Sequence, residues 1–204
     1  TLHQQWQALR LALVTPVEKV SLEVKGARGT LPLIETVYVP LLNALAEHTP
    51  RTVEQLLNAL PDVLNLTKLQ QALMILVGNG HVAIAQPDEQ ATAARYPTER
   101  LNHALMQRAR ACDHIHCLAS PVTGGGVGVD RFSQLFLLAR EEGRERPSEW
   151  AAFAWQWLNT QQEVLVKDGQ PLTTAEANIA ELTERATQFE RTWLPSLKAL
   201  GVAR

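Results

Sequence analysis

The chain has 204 residues, 46% hydrophobic and 20% charged, enough for one large or two small domains with a real core and unlike a disordered polymer. Its 19 basic and 21 acidic residues leave a net charge of −2, which argues against a dedicated nucleic-acid binder. No apolar run approaches the roughly 18 residues that would cross a membrane.

The chain opens TLHQQW, without an initiator Met or an apolar leader, and reads as a piece of something longer. Leu2–Val14 places Leu2, Trp6, Leu9 and Leu13 on one helical face, and Pro16 closes it. Val20–Lys25 alternates as a half-buried strand, Lys25–Gly29 turns, and Thr30–Ile34 returns with Pro32 at an edge. Helical spacing continues over Thr36–Ala46, Val53–Leu60 and Leu66–Val77, the last stopped by Gly78-Asn79-Gly80, before a short strand at Val82 and Ile84. That order is the layout of a winged helix whose sheet is completed by the earlier hairpin. Its second helix offers one cation, Lys68, beside Gln70 and Gln71, too little for a groove-reading face.

Gln86–Pro97 is polar and then alanine-rich, and residues 91–97 read as a linker. Thr98 can cap a helix to about Ala111, with Leu101, Leu105 and Ala109 inward and Asn102 near the seam. Cys112 and Cys117 are the chain's two cysteines, no disulfide framework, and fit a reducing cytoplasm. With His114 and His116 they could form a metal trio if extended, but a polar link without C-x-x-C or H-x-x-x-H is the simpler reading.

Next comes LASPVTGGGVGVDRFSQLFLLAR, Leu118–Arg140. Gly124, Gly125, Gly126 and Gly128 supply backbone for unusual φ/ψ or close approach. Asp130 stands where an N-cap belongs, ahead of Phe132, Leu135 and Phe136. The stretch is neither G-x-G-x-x-G nor a P-loop, and Asp130 would repel a phosphate. Arg140–Arg146 is a charged link. From Pro147 a long helix carries Trp150, Phe153, Ala154, Trp157, Gln161, Val164 and Leu165 to a stop at Lys167–Gly169. After a short DGQPL link, Thr173 and Glu176 form a capping box. Ala175, Ile179, Leu182, Ala186, Phe189 and Trp193 then repeat, so the two helices should pack as an antiparallel hairpin.

LASPVTGGGVGVDRFSQLFL, continued by VLVKDGQPLTTAEANIAEL and LPSLKALGV, resembles the signature of the methyltransferase regulatory domain family. GTLPLIETVYVPLLNALAEHTPRTVEQLL matches more loosely. The resemblance implies a region that follows a class I S-adenosylmethionine (SAM)-dependent methyltransferase domain in one polypeptide. It would act in cis on acceptor recognition, lid closure or dimerisation. The implied partners are that catalytic domain, a protein or peptide acceptor, and a second copy in a homodimer, with no nucleic acid and no membrane. The signature residues carried over are Ser120, Pro121, Thr123, Gly124, Gly125, Gly126, Asp130 and Arg131, with Asn102 as a looser match.

The chain shows no nucleophile pattern, and the strand running into acidic-Gly-x-Gly that holds SAM is missing. The expectation is therefore a chain that is not an enzyme by itself, binds no cofactor or metal, and works in the cytoplasm. The expected fold is mainly α (α+β). Residues 1–90 would be winged-helix-like with a small antiparallel sheet, 91–97 a linker, and 98–204 helical, with the signature loop at 118–131 and a long antiparallel hairpin. Two other classes stay open. A DNA-binding transcriptional regulator needs a basic stripe on the winged helix, and a small-molecule- or metal-binding protein needs a deep pocket with convergent polar groups.

Overall fold

A computed structural model describes residues 2–26 and 29–204. The protein is mainly α, with nine helices and four small antiparallel sheets among the described residues. It divides into two compact units, Thr1–Ala94 with Pro121–Gly124 and Ser196–Gly201, and Arg95–Ser120 with Gly125–Pro195 and Val202–Arg204.

In the first unit α1 (Leu2–Gln7) leads to β1 (Arg10–Leu13). This corrects the single helix expected over Leu2–Val14. Leu11, Ala12 and Leu13 are all buried, and β1 is the middle strand between β4 (Arg51–Thr52) and β5 (Val82–Ile84). A strand covered on both faces shows no alternation, so its apolar run mimics part of a helix. The register sets Leu11 opposite both Arg51 and Ile84, and Leu13 opposite Val82.

The expected hairpin forms as β2 (Glu23–Gly26) and β3 (Gly29–Pro32), with Val24 opposite Leu31. It is a separate two-stranded sheet, and β1 takes the place beside β5 that the hairpin was expected to fill. The expected turn at Lys25–Gly29 includes Ala27 and Arg28, and the expected apolar face of α1 includes the Leu2 side chain; these lie outside the described residues.

The helices of this unit are α2 (Glu35–Ala44), α3 (Val53–Ala59) and α4 (Leu66–Gly78). A reciprocal capping box starts α3: Thr52 Oγ1 accepts from Gln55 N, and Gln55 Oε1 accepts from Thr52 N. Asn65 caps α4 by accepting from Lys68 N at 2.9 Å. Leu41, Leu45, Leu56, Leu69, Leu73 and Leu76 close over Leu11 and Leu13 in one aliphatic core. His48, at φ 57°, is buried and donates from Nδ1 to the Leu13 carbonyl at 2.8 Å.

α5 (Asp88–Ala109) runs from the first unit into the second. Residues 91–97, expected as a linker, are helical, and Pro97 and Thr98 lie inside the helix rather than before it. Pro97 forfeits one backbone hydrogen bond, and the neighbouring alanines are strong helix formers that carry the helix through. Its buried face is Asn102, Met106 and Ala109, whereas Leu101 is 50% exposed.

The second unit continues with β6 (Cys117–Ala119), β7 (Gly126–Gly128), α6 (Arg131–Glu141) and α7 (Pro147–Thr160). β8 (Val166–Lys167), β9 (Gln170–Pro171), α8 (Ala175–Thr192) and α9 (Leu194–Ala199) follow. α7 ends earlier than its apolar pattern suggested. Gln162 turns left-handed at φ 58°, Val164 is exposed, and Leu165 returns to the core from a loop. The expected DGQPL link is instead a tight hairpin, in which Asp168 and Gly169 both have positive φ, 51° and 77°, as a primed turn requires. The cap of α8 is Thr174, which accepts from Ala177 N, and not Thr173.

The antiparallel helical hairpin is present. Trp150 near the start of α7 meets Phe189 near the end of α8 edge-on, with ring centroids 6.5 Å apart. Phe136 of α6 joins them 5.7 Å from Phe189. α6 is buried nearly all round from Ser133 to Ala139, the pattern of a helix enclosed by its neighbours. No helix among the described residues is long and apolar enough to cross a membrane.

Candidate functional site

The signature segment is a β-hairpin feeding a capped helix. β6 and β7 pair Cys117 with Gly128, Leu118 with Val127 and Ala119 with Gly126, and Ser120 N donates to Gly125 O at 2.8 Å. Asp130 is the N-cap of α6, as expected. Its carboxylate accepts from Ser133 N at 3.0 Å and from Ser133 Oγ at 2.7 Å.

Of the four glycines, Gly124 alone has positive φ, 69°. A Cβ there would stand 2.4 Å from Gln86 Nε2. Gln86 grips the loop tip within the first unit, its backbone N donating to Val122 O at 2.8 Å and its Nε2 to Pro121 O at 3.2 Å. Backbone strain on substitution therefore belongs to Gly124 and not to Gly125.

Asn102 and Arg131 are both buried and hold backbone in the second unit. Asn102 pairs with Ala119 as a neighbouring strand would. Its Oδ1 accepts from Ala119 N at 2.7 Å, and its Nδ2 donates to Ala119 O at 2.9 Å. Arg131 Nε donates to Ala109 O at 2.8 Å, where α5 ends, and its guanidinium reaches Glu163 and Gln161 beyond α7. Gln134 was missed in the sequence. It is fully buried, and its Nε2 donates to Ile115 O at 2.6 Å and Val129 O at 2.8 Å. The structure thus gathers Asn102, Ala119, Ser120, Gly125, Gly126, Asp130 and Arg131 into one framework of the second unit, and places Thr123 and Gly124 with the loop tip in the first. Cys112 is half-buried, while His114, His116 and Cys117 are exposed. Among the described residues no three His, Cys, Asp or Glu side chains are grouped to hold a metal.

A second place with chemistry was missed entirely. A cleft of about 590 Å³ in the second unit is bounded by α5, the end of α6 and residues 202–204. Tyr96, Glu99, Arg100 and His103 face it at helical spacing i, i+3, i+4, i+7, a polar stripe that was legible in the sequence. Met106 and Leu137 are buried beneath it. His103 Nδ1 lies 2.7 Å from Glu141 Oε2, and Arg204 pairs with Glu99 at 2.5 Å. Arg140 donates to Arg204 O at 3.2 Å and sits 5.7 Å from the Trp150 ring centre. Burial pulls the Arg140 pKa down, and nearby Glu190 opposes that fall. The cleft joins cations to an apolar floor, an arrangement suited to binding.

No family model matches the chain, and no solved structure matches it. An uncharacterized protein of Synechocystis is 33% identical over 196 residues, a stretch that takes in 96% of this chain. The chain spans about 38% of the length of that curated relative.

Proposed function

We propose that this chain is a non-catalytic accessory region of a SAM-dependent methyltransferase, acting in cis on how the acceptor is presented to a catalytic domain elsewhere in the polypeptide. The observation that carries the reading is the use made of the signature residues. Asn102, Asp130 and Arg131 are spent on holding loop backbone and capping helices, which is the work of a scaffold. A relative of which most lies outside the matched stretch supports a region built into a longer chain. A DNA-reading role has weaker support, since α4 carries Lys68 as its one cation. Two free cysteines support a reducing, cytoplasmic setting.

Two measurements test the proposal. Calorimetry of the 204-residue chain with SAM should give no saturable heat; micromolar binding would overturn the non-catalytic reading. In the longer polypeptide, Gly124→Val should lower methyl transfer to acceptor per mole of folded protein while SAM affinity holds. Unchanged transfer would make the loop a mere connector, and lost SAM affinity at intact folding would put it in the active site.

A further inference from the structure

One face of α5 carries a pattern that the packing of its own chain does not use. Glu89, Ala93, Tyr96 and Arg100 follow one another by four, three and four residues along this single helix. All four are exposed, Tyr96 by 67%. Steps of four and three place residues in one straight seam, the spacing by which two helices pair side by side. The seam is acidic at one end and basic at the other, with a small and a large residue between. Neither Glu89 nor Arg100 takes part in an ion pair among the described residues. Arg100 rests instead on its own Tyr96, 5.9 Å from the ring centre.

We propose that this seam pairs with the same seam of a second copy of the chain, running antiparallel about a two-fold axis that passes between residues 94 and 95. The pairing goes beyond the accessory reading and does not depend on it. In that register Glu89 meets the partner's Arg100 and Ala93 meets the partner's Tyr96, and the two-fold axis repeats both layers. A large ring set opposite a small residue lets the two helices approach closely. A parallel pair would set Glu89 against Glu89 and Arg100 against Arg100, and the like charges would repel. The charge pattern thus selects a second copy and its direction together. A contact about three helical turns long is small, so the dimer is weak and sensitive to salt.

The test is sedimentation velocity on the whole 204-residue chain. Between about 5 µM and about 500 µM it should show a monomer–dimer equilibrium that weakens as salt is added. Glu89→Arg and Arg100→Glu each set like charges opposite one another, and each should raise the dimer Kd about tenfold. Both side chains are exposed, so both variants should fold, which circular dichroism checks. An equimolar mixture of the two variants should dimerise again, because each then supplies the charge that the other lacks. Three outcomes would each overturn the proposal: a monomer across the whole range, a dimer unchanged in both variants, or a mixture that associates no more tightly than its components.

Discussion

The two units are held together by different means. The first closes a core of Leu11, Leu13, Leu41, Leu45, Leu56, Leu69, Leu73 and Leu76 with Tyr38, and its buried polar side chains are His48 and Ser196. The second buries Asn102, Arg131, Gln134 and Asn178, and each donates to or accepts from backbone beyond its own helix. The difference follows from the loops. In the first unit most buried backbone lies in helices and a three-stranded sheet and finds its partners there. In the second, irregular segments pass through the core, where every buried N–H and C=O needs a partner that a side-chain amide or guanidinium must supply. Area burial stabilises either unit, whereas the polar staples also fix where the loops lie.

The largest effect should come from the aliphatic core. Leu56→Ala should cost about 2–5 kcal/mol, and Leu56→Met, which keeps the volume, less than about 1.5 kcal/mol, both read from urea unfolding. In the second unit volume should not rescue. Asn102→Leu strands the Ala119 N–H and C=O and should cost about 2–4 kcal/mol, no less than Asn102→Ala. A mild Asn102→Leu would erase the contrast between the units.

Smaller effects sharpen it. Gly124→Ala should cost about 1–2 kcal/mol from its left-handed backbone alone, plus the crowding of Gln86. Adding Gln86→Ala should relieve the crowding and not the backbone strain, so complete rescue would show that φ at Gly124 is of no consequence. Asp130→Ala should cost about 0.5–2 kcal/mol, with hydrogen exchange speeding first in the opening turn of α6.

The smallest effect is a pH dependence at the start of α7. The Glu149 carboxylate is pushed down to about 2 by the Arg146 backbone N–H, then by the Arg146 guanidinium and the Glu145 N–H. A depressed carboxylate contributes stability above its unfolded value, and that stability is lost as pH falls from 4.5 toward about 2. The amide signals of Arg146–Trp150 should therefore move in that window, and Glu149→Gln should abolish the movement. A midpoint at the ordinary carboxylate value would show that the cap does not form.

Local chemistry was readable without coordinates. Asp130 before an apolar run and the Leu182, Ala186, Phe189 stripe announce a cap and a buried helix face, because each signal is complete within one or two helical turns. The mainly α class and the antiparallel hairpin follow from such signals summed along the chain. Three things waited for the tertiary structure. Arg10–Leu13 is a strand because Arg51–Thr52 and Val82–Ile84, far along the chain, pair with it from both sides. Asn102 and Gln134 turn inward because backbone beyond their own helices needs their amides. The cleft takes Arg100 from one helix and Arg140 from another. In each case the deciding partner is remote in sequence, and periodicity along one segment carries no information about what will lie against it.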